Sequence, residues 1–460
     1  MEELVDKALD YASKRSKFAE VRFASSTRNV VLMKNGTISA TGFSVDSGLA
    51  IRVLDNSIAF SSVNIPEWDR VRDEIDRALM MAKKHGRNKF SNENPVSDSW
   101  QVDQRKRIED VSFEERVSQL KGIDNLLTDE KIAMRIMALN DNVEEEYNVN
   151  SEGLSLRSKL PKISFSAMIG FMENGNFEQG TVELGYSGGY EAIDEWKLDE
   201  RVKHESDVLK SAARAKKLKD GVYDLVAGPE ISGIVAHESC GHPTESDRIL
   251  GREMAQAGES FIKKNDKGKR VGSNLVNLVD DPTLEHSYGF YRYDRDGVKS
   301  RKRYLYKNGL INEFLSNRES AGRLDAKSNG ASRSSEWDKE PLVRMSTTYI
   351  EPSDRTYEEL IEDVKDGIYM KSFTEWNIDD VRFNEKYVGR EAYHIQNGEL
   401  KETIKRPAIE TTTITFYSSI DAIGKDLEFS AGSCGKGDPM QGVDVWMGGP
   451  HIRLRNLNVR

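Results

Sequence analysis

Between Gly228 and Pro243 the chain reads Gly-Pro-Glu-Ile231-Ser-Gly-Ile-Val-Ala-His237-Glu238-Ser-Cys240-Gly241-His242-Pro, and no other stretch constrains the fold so tightly. Pro229 suits a first helical position, where its missing N–H would be unpaired in any case, and Ile231, Ile234 and Val235 then form an inward apolar stripe. The helix carries its histidines inward with that stripe. Five residues at about 100° each set His237 and His242 about 140° apart, so a regular α-helix cannot aim both at one point. The spacing therefore predicts a deformed helix. A single π-bulge would absorb the extra residue, with Gly241 as the soft point and Pro243 blocking regular continuation.

Length and charge set the outer limits. At 460 residues the chain exceeds one ordinary core, which predicts two or three domains. Charged residues make up 31% and hydrophobic ones 37%, the balance of a strongly hydrated protein. A net charge of −10 argues against nucleic acid as a partner, because the chain as a whole repels phosphate. The opening Met-Glu-Glu-Leu-Val-Asp-Lys has acid where a signal peptide carries base. No stretch approaches the about 18 to 20 apolar residues of a membrane span. Two cysteines, Cys240 and Cys434, cannot supply a disulfide framework for a chain of this size. These features predict a cytoplasmic protein with no membrane association.

Residues 2–15 read as an amphipathic helix, followed by alternating segments at 20–24 and 29–33 and by a second helix after Pro66. The polar stretch 91–104 reads as a linker. Ser112 and Glu115 form a capping box for a third helix, short strands follow at 133–138, 147–156 and 163–169, and a helix over 205–218 closes this half. Beyond it strands dominate, with one further helix capped by Thr356 and Glu359 and ending at Gly367. Asn-Gly pairs at 35–36, 174–175, 308–309, 329–330 and 397–398 signal turns. The fold class is α+β. A mixed α/β N-terminal half with units at 1–90 and 107–218 precedes a strand-rich C-terminal domain at 219–460.

Single histidines are usually structural or exposed, and His85, His204, His286 and His394 stand apart from any grouping. His237, Glu238 and His242 do not. Cys240 follows His237 by three residues and could reach a metal from the same helix face, or it is a small buried side chain. A Cys240–Cys434 disulfide is a third possibility. Gly432, Gly435, Gly437, Gly442, Gly448 and Gly449 crowd Cys434, which reads either as a tight loop folded over a metal or as a plain irregular loop. Asp294-Arg-Asp296-Gly297 imitates part of a calcium loop, but that frame puts Arg292 first and Arg303 twelfth, both of the wrong charge. It reads instead as a turn beside a channel or a solvated hairpin. Asp280-Asp281 and the basic run 299–307 read as solvated faces. His451, just after Gly449-Pro450, could approach the same site and steady an oxyanion.

A zinc peptidase helix ordinarily reads His-Glu-x-x-His; here the second histidine arrives one residue late. His-Glu-x-x-x-His resembles the TldD/PmbA family of metallopeptidases. The segment Gly432-Ser-Cys434-Gly-Lys-Gly-Asp-Pro-Met-Gln441-Gly-Val-Asp-Val-Trp-Met-Gly448-Gly-Pro450 looks like that family's cysteine-bearing signature. Tyr293-Asp-Arg-Asp296-Gly297-Val298, Arg344-Met345-Ser346-Thr-Thr-Tyr349, Gly48-Leu-Ala-Ile-Arg52-Val53-Leu and Phe60-Ser61-Ser62 look like further blocks, so the resemblance runs over nearly the whole chain.

The resemblance implies a zinc-dependent peptidase with His237, His242 and Cys434 as metal ligands and Glu238 as general base. Because the family's PmbA or TldE subunits lack this set, it implies the catalytic TldD type. It further implies a homodimer, or a heterodimer with a PmbA/TldE-like subunit, and unfolded or short peptide substrates held as an added β-strand with low sequence specificity. Two other functions compete with it. One is a thiol-dependent hydrolase in which Cys434 or Cys240 attacks, and the other a non-catalytic peptide-binding subunit.

Overall fold

Four of the five Asn-Gly pairs close hairpins in the computed structural model, which describes residues 1–84, 86, 88–254 and 258–460. Asn35-Gly36, Asn174-Gly175, Asn308-Gly309 and Asn397-Gly398 each take positive φ at both residues, the turn geometry that matches strand twist. Asn329-Gly330 is the exception, with only Gly330 in the left-handed region. It has no strand pair to join. The Asn329 amide is instead buried, donating to the Phe314 carbonyl and accepting from Ser316 N.

The N-terminal half is built on one sheet of seven strands: β1 Phe18–Lys34, β2 Thr37–Leu54, β3 Ile58–Val63, β4 Ser97–Gln101, β5 Ile132–Asn150, β6 Ser155–Glu173 and β7 Asn176–Ser187. Their order is β3-β2-β1-β5-β6-β4, with β7 also pairing β6. The segments expected at 20–24 and 29–33 are therefore one strand. Residues 147–156 straddle the turn between β5 and β6, and the polar stretch 91–104 contains β4, parallel to β6. The alternation breaks because β1 serves two cores. Ala19 and Val21 pack under the helices Glu2–Ser13 and Trp68–Ala82, whereas Val31 and Met33 pack with Phe113–Asp124 and Leu198–Arg214. Between them Arg22 and Arg28 face the C-terminal half, donating to the Trp337 carbonyl and Glu336.

The C-terminal half holds two larger sheets. In the nine-stranded one, Gly221–Ala227 lies between Asp366–Met370 and Ile452–Val459. The six-stranded one ends in Leu278–Asp280, Thr347–Ile350, Gln441–Gly449 and, outermost, Glu428–Lys436. The helix Pro229–Ala236 leaves the Gly221–Ala227 strand and shares one apolar core with residues of both sheets. Ser112 caps its helix through Glu115 N, and Thr356 with Glu359 forms a full capping box. That last helix stops at Glu362, short of Gly367, because Asp366–Met370 is already a strand. The helix expected at 205–218 starts earlier and runs Leu198–Arg214.

Within the segments 294–297, 280–281 and 299–307 the aspartates and Arg303 are internal, whereas Lys299, Arg301 and Lys307 of the basic run are exposed, as expected of a solvated face. Asp296 accepts from Arg52 at 2.6 Å while the same guanidinium donates to Glu20 at 2.8 Å, all three side chains being buried where the two halves meet. Asp294 accepts from the backbone N–H groups of Asp296, Val298 and Ser332. Asp280 pairs with Arg303 from the basic run, and both are fully buried. Opposite charge and backbone donors offset the desolvation that would otherwise keep these groups outside. Among the described residues, no helix is long and apolar enough to cross a membrane.

Candidate metal centre

The helix that starts with Gly228 as N-cap and Pro229 at N1 stays α-helical only to Ala236. His237–Gly241 is a π turn in which the His242 N–H bonds back to the His237 carbonyl, and a short 3₁₀ turn, His242–Thr244, follows. The predicted bulge is present at the predicted place. Thr244 Oγ1 donates to the Cys240 and Gly241 carbonyls left open by the deformation. Gly241 makes room for a neighbour: a Cβ there would lie 1.8 Å from Met345 Sδ and force that side chain to shift. The bulge brings the two imidazole centroids to 5.0 Å, with the rings nearly perpendicular at 83°.

Cys434 arrives on a strand. Glu428–Lys436 and Gln441–Gly449 form a regular antiparallel hairpin, which corrects the loop expected from the glycines. Two of those glycines serve close packing. The helix backbone at Ser232 and Gly233 lies directly against the hairpin, so that a Cβ on Gly233 would meet Gly448 N at 2.8 Å and one on Gly449 would meet Ser232 Oγ at 2.3 Å. This approach sets Cys434 Sγ 3.5 Å from His242 Nε2. The ligand atoms of His237, His242 and Cys434 all lie within 4.8 Å of one another, and all three residues are buried.

Burial pushes both histidines below their ordinary range, leaving neutral imidazoles with free lone pairs. Burial would push the Cys434 thiol up, but the His242 ring and the Arg344 guanidinium outweigh it and bring the thiol below its usual value. Two imidazole nitrogens and one sulfur biased towards thiolate are a donor set that suits a borderline-soft ion such as Zn²⁺.

A second layer holds these groups. His242 Nδ1 lies 3.0 Å from Glu245 Oε2, which fixes the proton on Nδ1 and leaves Nε2 for the centre. Burial would raise the Glu245 carboxyl, yet Lys436, His242 and Arg248 hold it well below the usual carboxylate range. Lys436 Nζ sits 3.2 Å from Glu245, 2.7 Å from Asp247 and 2.8 Å from the Val343 carbonyl, with no exposed surface. Neither Glu245 nor Lys436 was singled out from sequence. The available signal was spacing: Glu245 follows His242 by three residues, and Lys436 follows Cys434 by two on the same face of a strand. Lys436→Met strips this carboxylate pair of its main cation. We expect it to cost about 3–5 kcal/mol, read as a lower urea midpoint at unchanged slope.

Glu238, next to His237, is buried and accepts from Arg382 Nη1 at 2.7 Å. The other candidates lie elsewhere. Cys240 is a core residue beside Tyr306 whose thiol burial pushes well up, and both cysteines are free. His451 has both ring nitrogens engaged, Nδ1 with Asp426 at 2.7 Å and Nε2 with the Tyr369 hydroxyl at 2.9 Å, which removes it as an oxyanion donor. His204 pairs with Glu391, His394 with Asp366, and His286 stacks on Tyr186. His85 lies outside the described residues.

Two imidazoles and a thiol meeting on a π-bulged helix, with a carboxylate next in sequence to the first imidazole, have the make-up of a metallohydrolase centre. The chain belongs to the PmbA/TldD family of metallopeptidases: the PmbA/TldA metallopeptidase domain 1, central domain and C-terminal domain match residues 19–82, 106–218 and 220–460. A metalloprotease of Methanocaldococcus jannaschii is 31% identical over 95% of each chain. A zinc metalloprotease TldD homolog of Saccharolobus solfataricus is 32% identical over 52% of each. The solved structure of TldE from Thermococcus kodakarensis covers 99% of both chains with a TM-score of 0.79 at 17% identity, a likeness of fold.

Proposed function

We propose that this metallopeptidase is a zinc enzyme of the TldD type that hydrolyses unfolded or short peptides with low sequence specificity. The observation that carries the reading is the convergence of His237, His242 and Cys434 within 4.8 Å at a bulge that serves no other evident purpose. These three residues would hold the ion. Zn²⁺ so held supplies Lewis acidity, polarising an amide carbonyl and making water a nucleophile near neutral pH. Glu238 takes the water's proton on its carboxylate and gives it to the leaving amine, so that one water is consumed for each peptide bond broken. Glu245 keeps the proton of His242 on Nδ1, facing away from the centre.

The Glu428–Lys436 strand supports the substrate class. It carries Cys434 and is the last strand of its sheet, the position at which an extended peptide would add through main-chain bonds that read little sequence. The fold shared with TldE supports pairing with a second chain of this kind, either another copy or a PmbA/TldE-like subunit. The units 1–90, 107–218 and 219–460 are its proposed domains, and the two free thiols suit a reducing, cytoplasmic setting.

One observation favours a second reading. Cys434, His242 and Glu245 stand in the order sulfur, imidazole, carboxylate at 3.5 and 3.0 Å, as a thiol hydrolase would need. His237 and Glu238 have no part in that chemistry. Treating the purified protein with a chelator separates the two: peptide cleavage is expected to stop and to return on adding Zn²⁺. Cleavage that persists without metal and disappears on thiol alkylation would establish the thiol route instead.

A further inference from the structure

Arg382 occupies the turn between the strands Phe373–Ile378 and Asn384–Gly389, at φ 63°, a left-handed conformation that a residue with a long side chain rarely adopts. The turn around it is clamped from several sides. Asp379 accepts from Phe383 N at 2.7 Å and Asn384 Nδ2 at 2.6 Å, and the Arg382 carbonyl accepts from Thr413 Oγ1 at 3.0 Å. The carbonyls of Asp380 and Val381 accept from Glu259 N and Phe261 N. An arginine held in a disfavoured backbone state by this many bonds delivers its guanidinium to a fixed place, and that place is Glu238, 2.7 Å away.

Four cations surround the centre, and they differ in what they are free to do. Arg344 gives both terminal nitrogens to the carbonyls of Cys434 and Gln441. Lys436 is spent on Glu245, Asp247 and Val343, and Arg248 bonds Glu245 and Glu253; Arg248 Nη1 and Arg344 Nε lack partners but sit on side chains closed off from solvent. Arg382 bonds through Nη1 alone, its Nε is buried without a partner, and its side chain keeps 20% of its surface exposed. Arg344, Lys436 and Arg248 are buried. Arg382 is thus the one of the four that a substrate could reach from outside and still find with donors to spare.

We infer that Arg382 is a catalytic residue for the peptidase reaction, donating hydrogen bonds to the scissile carbonyl oxygen as it becomes anionic. The inference rests on the peptidase reading and adds to it the group that stabilises the tetrahedral state. The geometry follows from Glu238. A water that gives its proton to Glu238 must lie within about 3 Å of that carboxylate, and the oxygen that turns anionic is on the carbon the water attacks. A guanidinium already bonded to Glu238 stands beside both. It stays protonated throughout: the water's proton goes to Glu238 and then to the amine, and the oxygen's charge is returned when the C–N bond breaks. Before substrate arrives the same guanidinium holds Glu238 through Nη1 and keeps its other donors open for the carbonyl.

The test compares the zinc-loaded full chain with Arg382→Ala and Arg382→Lys. It measures zinc content, kcat and KM on an unfolded peptide, and calorimetric affinity for a phosphinic peptide, whose tetrahedral anionic centre imitates the charged oxygen. In Arg382→Ala, zinc should be retained and KM should move little, while kcat falls about 10²–10³-fold and phosphinate affinity weakens by a similar factor. Arg382→Lys should fall between, and added guanidinium should restore part of the Ala variant's rate. Wild-type phosphinate affinity in Arg382→Ala, loss of zinc, or a change in KM alone would overturn the inference and leave Arg382 a counterion of Glu238. A wild-type chain that neither cleaves peptides nor binds the phosphinate would remove the peptidase reading itself, and this inference with it.

Discussion

His237→Ala and Cys434→Ser are each expected to leave the purified chain almost free of zinc, against about one ion per chain in the wild type, and to abolish peptide cleavage. Both substitutions suit the question because neither should unfold the chain. Cys434→Ser keeps the size of the side chain, so the Glu428–Lys436 strand and its hairpin should persist. His237→Ala removes a ring whose side-chain hydrogen bonding is limited to a long contact with Thr348 Oγ1 at 3.4 Å. What each removes is one of three donors whose atoms lie within 4.8 Å of one another, and two remaining donors do not close a zinc site. Elemental analysis beside a thermal melt reads both quantities. Full zinc in either variant would show that the ion sits elsewhere.

Glu238→Gln should separate metal binding from chemistry. The amide keeps the shape of the carboxylate and can still accept from Arg382, so zinc content and stability should stay at wild-type levels. It cannot take a proton, and kcat is expected to fall roughly 10²–10⁴-fold, the usual contribution of a positioned base. A variant that keeps zinc and cleaves at the normal rate would remove Glu238 as base and turn attention to another acceptor. The pair of results is informative together: loss of zinc locates the ligands, and loss of rate at constant zinc locates the proton acceptor.

Much of the site was legible because its constraints are local. The five-residue gap between the histidines demanded a distorted turn, and Gly241 and Pro243 marked where it could occur. Turns at Asn-Gly pairs and the Thr356–Glu359 capping box are local in the same sense, since the partners are within a few residues. What was misread involved partners far away in the chain. Asp296 reads as part of a channel-side turn or a solvated hairpin because its partner, Arg52, is 244 residues distant, and Asp280 as part of a solvated face because Arg303 reaches it only after a strand pair has formed. The Cys434 segment looked like a loop because glycines carry no alternating pattern. Its strand character comes from pairing with Gln441–Gly449, and its glycines from the helix laid against it.

The order of residues alone determined that the helix bearing His237 and His242 could not remain regular, and it supplied the donors. Only the tertiary structure decided which sulfur joins them. In a turn closed by bonding five residues apart, His242 comes back to the side of His237, while Cys240, three residues on, is rotated into the core beside Tyr306. The sulfur that reaches His242 is carried by a strand almost 200 positions later, through a glycine-to-glycine approach that no local pattern encodes.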